Sequence, residues 1–429
     1  FHSHRHLSRY EREYRRRHGL DLQLDWDGLY NDPFYAHFED HNETNVTNSR
    51  QLLDEQQTVA GGQFNNYQAV PLSQGYGTHF SNVWVGSPTP QRKTVIVDTG
   101  SHYTAFPCSN CVNCGAPHHT DPYFAPDKSV TFHRLQCSEC QDGIVCQDGI
   151  CKFSQAYTEG SSWEAYQVKD VIFCGGTDVL DSADPQDQKY ANEFMFGCQM
   201  SMTGLFITQL ADGIMGMSAH PATLPKKLYD ARKIEHNMFA MCYRRELGTS
   251  KRGVTAGSMT FGGFSNNLDT SPMVYAKNIA SIGWFTVLVK SIYVRVGGGQ
   301  SAKSVDPEHR TIKVRVDART LNSGKGVIVD SGTTDTYLNK GVAREFAIAW
   351  KKATGQAYSH SPMSLTAEQL RSLPTILIQC QAYSLDPDPS VDDYDSTPGY
   401  AGRLDPSSPK DLLIAIPATS YMDYSPVSK

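Results

Sequence analysis

From about residue 66 the chain is written in short apolar runs separated by Gly, Pro and Asn. Phe80 to Gly86, Thr94 to Val97, Tyr166 to Phe173 and Phe194 to Cys198 are rich in β-branched and aromatic residues, and at four to eight residues they have the length of strands. The second half repeats the texture at Val254 to Gly263, Phe285 to Val296, Thr311 to Val316 and Val327 to Val329. Helical periodicity is sparse, confined to Pro225 to Ile234, Gly341 to Ala353 and Thr366 to Leu373. The pattern predicts a mostly β body in two halves, 66–220 and 221–429, with the division somewhere in 218–236. Before residue 66 no apolar period is sustained. Residues 1–65 begin rich in Arg and His and turn acidic, which predicts a propeptide-like or mobile leader. A charged surface helix from Glu11 to His18, docked on the body, is the other reading of that stretch.

Two of the apolar runs end the same way. Val95 to Ser101 reads V-I-V-D-T-G-S, and Val327 to Thr334 reads V-I-V-D-S-G-T-T. Each predicts a buried strand that delivers an aspartate into a tight turn. One such triplet is an ordinary turn; the same frame in both halves points to a paired function.

At 429 residues the chain can bury a large core, and a net charge of −6 gives no electrostatic case for nucleic acid. No apolar run approaches the ~18 residues of a membrane-spanning helix. The chain starts at Phe1 with no apolar signal core, as expected of a trimmed or processed product. Eleven cysteines, seven of them between Cys108 and Cys151, point to an oxidising compartment and hence to the secretory pathway. The sequons at Asn42 and Asn45 are candidate glycosylation sites consistent with that route. Gly175 to Ala191, acidic and polar, and Leu385 to Lys410, rich in Asp, Pro, Ser and Tyr, are expected to be solvated, mobile insertions.

Together with A-D-G-I-M-G-M at Ala211 to Met217 and G-S-M-T-F-G-G at Gly257 to Gly263, the two aspartate motifs resemble, in order and spacing, the pepsin-like aspartic proteases from about Gly75 onward. The resemblance implies a bilobal fold with the active site in the cleft between lobes, and Asp98 and Asp330 as a catalytic pair that shares one proton. Gly100 and Gly332 would let the turns approach and offer N–H groups to the carboxylates. Thr99 and Ser331 would brace one turn against the other, while Ser101 and Thr333 would hydrogen-bond the outer carboxylate oxygens. S-Q-A-Y-T-E-G-S-S-W matches the family's flap (about 154–166), with Tyr157 at its tip, Gly160 in its turn and Trp163 lining a subsite; Tyr157 as an ordinary strand aromatic is the plainer alternative.

The cysteine-rich insert at 108–151 resembles the nepenthesin type, and F-P-C-S-N-C-V-N-C-G looks like the plasmepsin-V-type proteases, secretory-pathway enzymes that cut after Arg-x-Leu. Cys108, Cys111, Cys114, Cys137, Cys140, Cys146, Cys151 and Cys198 are disulfide candidates, with zinc held by the two C-x2-C pairs as the alternative. Arg50-Gln51-Leu52, followed by Asp54 and Glu55, matches the same motif, so Arg50 and Leu52 mark an expected processing site. Thr158 stands where plasmepsin-V-type chains carry a cysteine after the flap tyrosine. After Leu412 to Ala415 and Tyr421 the chain ends at Lys429 without the strands that close the family's second lobe, so we expect a C-terminal truncation, with any membrane anchor beyond it. These readings predict a monomeric aspartic endopeptidase, made as a zymogen in the endoplasmic reticulum or Golgi, with peptide or protein substrates and neither cofactor nor metal. A secreted or vacuolar general acid protease, and a catalytically silent relative that binds through the cleft, are the alternatives.

Overall fold

The computed structural model of the chain describes residues 23–24, 66–141, 144–176, 186–244, 255–264, 274–280, 283–298, 302–306, 309–324, 326–359, 363–383, 391 and 393–422. Among the described residues strand (37%) outweighs helix (18%), in keeping with a mostly β bilobal fold.

One mixed sheet of twelve strands dominates the described residues. Near its middle lies Gln91–Asp98, flanked on one side by antiparallel His79–Val85 and on the other by parallel Gly213–Gly216, with Gly216 opposite Asp98. Its continuous apolar run is explained by burial on both faces. Val95 and Val97 enter a core with Val70, Val83, Phe106 and Phe196, whereas Ile96 points into a second core with Phe80, Ala105 and Trp163. Further out, Asn192–Thr203 pairs with Ser162–Cys174, which pairs in turn with Ile150–Ala156 to form the flap hairpin.

The sheet does not stop at the expected division after residue 220. Phe239–Tyr243 and Thr255–Phe261 continue it, the latter hydrogen-bonded to Gln68–Gln74, so the first-half sheet draws on chain beyond the boundary read from the sequence. A hydrophobic strand pairs with whichever edge is open, and texture along the chain does not reveal which edge that is.

The second half builds a four-stranded sheet in the order Thr311–Lys313, Val289–Arg295, Thr375–Cys380, Leu412–Ile416. Lys340–Thr354 covers it as an amphipathic helix that buries Val342, Phe346, Ala349 and Trp350 against Val289, Ile292 and Val294. Asn339 caps its first turn by accepting from the Val342 N–H at 3.0 Å, and Gly355 ends it with φ 75°. The other two expected helices form at Leu224–Asp230 and Ala367–Ser372. The strand that delivers Asp330 is short: Val327–Ile328, paired with Thr286–Val287.

The two expected solvated insertions need correction where the structure describes them. Asp187 and Tyr190 are buried; the Asp187 carboxylate accepts from Gly176 N–H, and the Tyr190 hydroxyl donates to the Tyr67 carbonyl. In the second segment Tyr400 and Ala401 are buried, Gly399 N–H donates to the Ala302 carbonyl, and Asp395 accepts from Ser304 and Arg403. Acidic composition suggested solvent exposure, but a local hydrogen bond satisfies the buried Asp187 carboxylate in place of water, and Asp395, partly exposed, is tied down by its neighbours. Of the leader, Gln23–Leu24 pair in parallel with Ser364–Leu365. Asn42, Asn45, Arg50 and Leu52 lie outside the described residues.

Candidate active site

The two aspartate turns meet. Gly100 N–H donates to Asp98 Oδ1 at 2.9 Å, and Gly332 N–H donates to Asp330 Oδ1 at 2.8 Å. Ser101 Oγ donates to the second oxygen of Asp98, as Thr333 Oγ1 does to that of Asp330 at 2.6 Å. Each carboxylate is therefore held on both oxygens by the turn that carries it. Glycine is required for the approach: a Cβ on Gly100 would lie 2.5 Å from Asp330 Oδ2, and one on Gly332 would lie 2.2 Å from Asp98 Oδ1.

Thr99 and Ser331 join the turns. Thr99 N–H donates to Ser331 Oγ at 3.0 Å and Ser331 N–H to Thr99 Oγ1 at 2.9 Å. Each hydroxyl then donates onward to the opposite strand, Thr99 to the Val329 carbonyl at 2.9 Å and Ser331 to the Val97 carbonyl at 2.7 Å. Four charge-neutral bonds thus fix the spacing of two like charges.

The carboxyls differ in setting. Asp98 is almost fully buried, Asp330 only partly. Burial raises the Asp98 pKa well above the usual carboxylate range, the Asp330 charge adds to it, and the bonds from Ser101 and Gly100 oppose it. With the two side chains in hydrogen-bond contact, the arrangement favours one proton shared by the pair.

The flap places Tyr157 over this pair. Gly160, at φ 97°, turns the hairpin, with Gly160 N–H donating to the Tyr157 carbonyl at 3.0 Å and Tyr157 N–H to the Ser161 carbonyl at 2.9 Å. Burial, with the Asp98 charge adding to it, keeps the Tyr157 hydroxyl protonated far above the ordinary tyrosine range. Its ring packs on Phe206, centroids 5.1 Å apart. Trp163 is not the subsite wall expected of it. It is 1% exposed, inside the core, and its indole N–H donates to the Tyr157 hydroxyl at 3.1 Å. Trp163 is thus a buried brace for the flap tyrosine.

Several neighbours escaped the sequence reading. Trp284, from the second half, donates its indole N–H to the Gly100 carbonyl at 2.6 Å. His102, directly after Ser101, stacks on His220 with centroids 4.6 Å apart. Only the topology brings these residues together; the position of His102 beside the D-T-G-S motif was the one signal available.

The eight cysteine candidates form four disulfides: Cys108–Cys198, Cys111–Cys114, Cys137–Cys146 and Cys140–Cys151. Bonded sulfurs are not zinc thiolates, so the zinc alternative loses its ligands. Cys174, Cys242 and Cys380 are free thiols.

Comparison with known proteins agrees with this geometry. Residues 79–263 match the family described as Xylanase inhibitor N-terminal. The chain is 29% identical over 218 residues to Aspartic protease 5 of Toxoplasma gondii, covering 46% of this chain and 20% of that protein. It is 34% identical over 145 residues to Plasmepsin V of Plasmodium falciparum, covering 33% of this chain and 23% of the relative. With nepenthesin-1 of Nepenthes gracilis it shares 26% identity over 275 residues, 62% of this chain and 53% of the relative. The chain therefore spans between a fifth and about half the length of these relatives. The matched segment spans less than half of the chain; there, and in its paired aspartate turns, the chain is similar to the pepsin-like aspartic proteases.

Proposed function

We propose that the chain is the catalytic part of an aspartic endopeptidase. The observation that carries this reading is the contact between Asp98 and Asp330, each held on both oxygens and spaced by the Thr99–Ser331 exchange. A shared proton gives the pair both roles that peptide hydrolysis needs. The protonated carboxyl donates a hydrogen bond to the scissile carbonyl, while the ionised one removes a proton from an attacking water. Water oxygen adds to the carbonyl carbon, the C–N bond then breaks, and the proton passes to the leaving amine. Tyr157 and Phe206 supply an apolar wall beside the reacting bond, and the flap excludes bulk water.

Within that class we assign peptides with a basic residue on the acyl side of the cut, as in Arg-x-Leu. The flap turn offers Glu159, whose charge is felt at Tyr157 and which suits a guanidinium. Four disulfides support a secretory-pathway location. Among the described residues no helix is long and apolar enough to cross a membrane. The leader and its Arg50-Gln51-Leu52 motif remain our proposed processing site.

A second reading, a cleft-binding protein without catalysis, draws on the inhibitor named in the matched family's description. A binder gains nothing from a costly like-charge pair held by eight hydrogen bonds, four to the carboxylates and four between the turns. Incubation with an Arg-x-Leu peptide and with a scrambled control separates the readings. Cleavage of the first, abolished by Asp98→Asn and by a statine-type inhibitor, supports the protease. Equal cleavage of both leaves a general acid protease, and inhibitor binding without cleavage of either leaves the binder.

A further inference from the structure

The segment after the A-D-G motif is stitched along the turn that carries Asp98. Met217 N–H donates to the Asp98 carbonyl at 2.7 Å, and Ser218 N–H donates to the Ser101 carbonyl at 3.1 Å. One residue on, Ala219 exchanges two backbone hydrogen bonds with Gly283 of the second half, at 2.6 and 2.9 Å. Next to Gly283, Trp284 holds the Gly100 carbonyl. The Asp98 turn, residues 217–220 and residues 283–284 therefore meet along one seam.

Two imidazoles occupy that seam. His102 and His220 stack with planes 20° apart, and the His102 ring faces Trp284 on a further side at 6.4 Å. His102 Nδ1 lies 2.5 Å from Ser218 Oγ, and His220 Nδ1 accepts from the Ala222 N–H at 3.2 Å. A nitrogen that accepts from a backbone N–H carries no proton, so this geometry belongs to a neutral His220. Around His102 stand Ser218, His220, its chain neighbour Tyr103 and Trp284 from the other half.

We propose that His102 and His220 are positioning residues of the catalytic site: stacked, they hold the Asp98 turn against residues 217–220 and Trp284, and a proton taken up by the stack opens this seam and ends activity at a higher pH than protonation of the carboxylate pair alone would. The inference rests on the protease reading for its kinetic arm. Two charged rings 4.6 Å apart repel, and a protonated His220 Nδ1 can no longer accept from Ala222. Burial, with the His220 charge second, lowers the His102 pKa below its ordinary value. A folded-state pKa below the unfolded one means stability fully present above the unfolded value, about 6.5, and lost as pH falls through the folded value.

His220→Gln keeps an acceptor for Ala222 without a titrating charge, and His102→Gln does the same toward Ser218. In kcat/KM measured from about pH 3.5 to 8, the midpoint of the acid limb should move down by about half a pH unit or more in either variant, a roughly threefold change in proton concentration. The position of the limb, not its height, is the readout. The drop in Tm between pH 7 and pH 5 should also shrink, measured in the Asp98→Asn background where chemistry is silent. An unchanged limb and unchanged Tm slope in folded variants would overturn the seam. A changed Tm slope in a protein that cleaves no peptide would overturn the protease reading and leave the seam standing.

Discussion

Thr99 and Ser331 each donate a backbone N–H to the other's hydroxyl, at 3.0 and 2.9 Å, so the two halves of the chain are hydrogen-bonded to one another one residue away from each of the paired carboxylates. Because each hydroxyl also donates to the opposite strand, losing either side chain frees two bonds at once. We expect Thr99→Ala or Ser331→Ala to lower stability by about 1–3 kcal/mol and kcat by about 10–100-fold. The double variant should be far less than additive, since the same exchange is already broken. Denaturant unfolding and single-turnover kinetics on the four proteins of the cycle would check this.

Asp98→Asn should reduce kcat by on the order of 10³-fold or more, yet stabilise the protein at neutral pH. The raised pKa of Asp98 means that the folded state binds a proton the unfolded chain has already released, so stability declines as pH rises from about 4 towards neutrality. Removing the carboxylate removes that decline. The unfolding free-energy difference between variant and parent, from denaturant melts, should be near zero at pH 4 and favour the variant by about 1–3 kcal/mol at pH 7.5. Asp212, also buried with a raised pKa, stays in both proteins and cancels from the difference.

Trp163→Phe keeps the buried ring and deletes the N–H that holds Tyr157. We expect kcat/KM to fall about tenfold with a loss of about 1 kcal/mol in stability. Tyr157→Phe should have a similar effect, and combining the two should add little. A subsite role for Trp163 would instead change peptide preference at one position, which profiling against a peptide library would register.

Gly100→Ala places a methyl group against the Asp330 carboxylate and should abolish activity while the lobes fold. Inhibitor affinity measured by calorimetry should fall in parallel, because the turns can no longer close on one another.

Cys108–Cys198 closes a loop of 90 residues and ties the strand after Asp98 to the strand that pairs with the flap. The Cys108→Ser/Cys198→Ser variant should lose about 3–5 kcal/mol, read from denaturant midpoints under oxidising conditions.

The aspartate turns were legible because the chemistry repeats: the same apolar frame and the same small residues recur at Asp98 and Asp330. The flap was legible as far as Tyr157 and Gly160. Trp163 was misplaced because its partner is six residues back across a hairpin, and the sequence does not say which strand face turns inward. Trp284, His102 and His220 follow no motif; their meeting depends on a parallel pairing of Gly213–Gly216 with the Asp98 strand and on the Ala219–Gly283 bridge. Composition misled at Asp187 and Tyr400, which are buried, the Asp187 carboxylate taking its hydrogen bond from the Gly176 N–H. The continuation of the large sheet past residue 220 was hidden for a related reason: texture marks strands but not their partners.

The strand that carries Asp98 is eight residues long and sits inside a twelve-stranded sheet, whereas the one that carries Asp330 is two residues long and pairs with two. The first aspartate is therefore the fixed reference of the pair, and the second takes its position from the crossed bonds between the turns. Small displacements of the second half should appear at the aspartate pair as motion of Asp330 alone, so a peptide bound there would meet one rigid carboxyl and one compliant one.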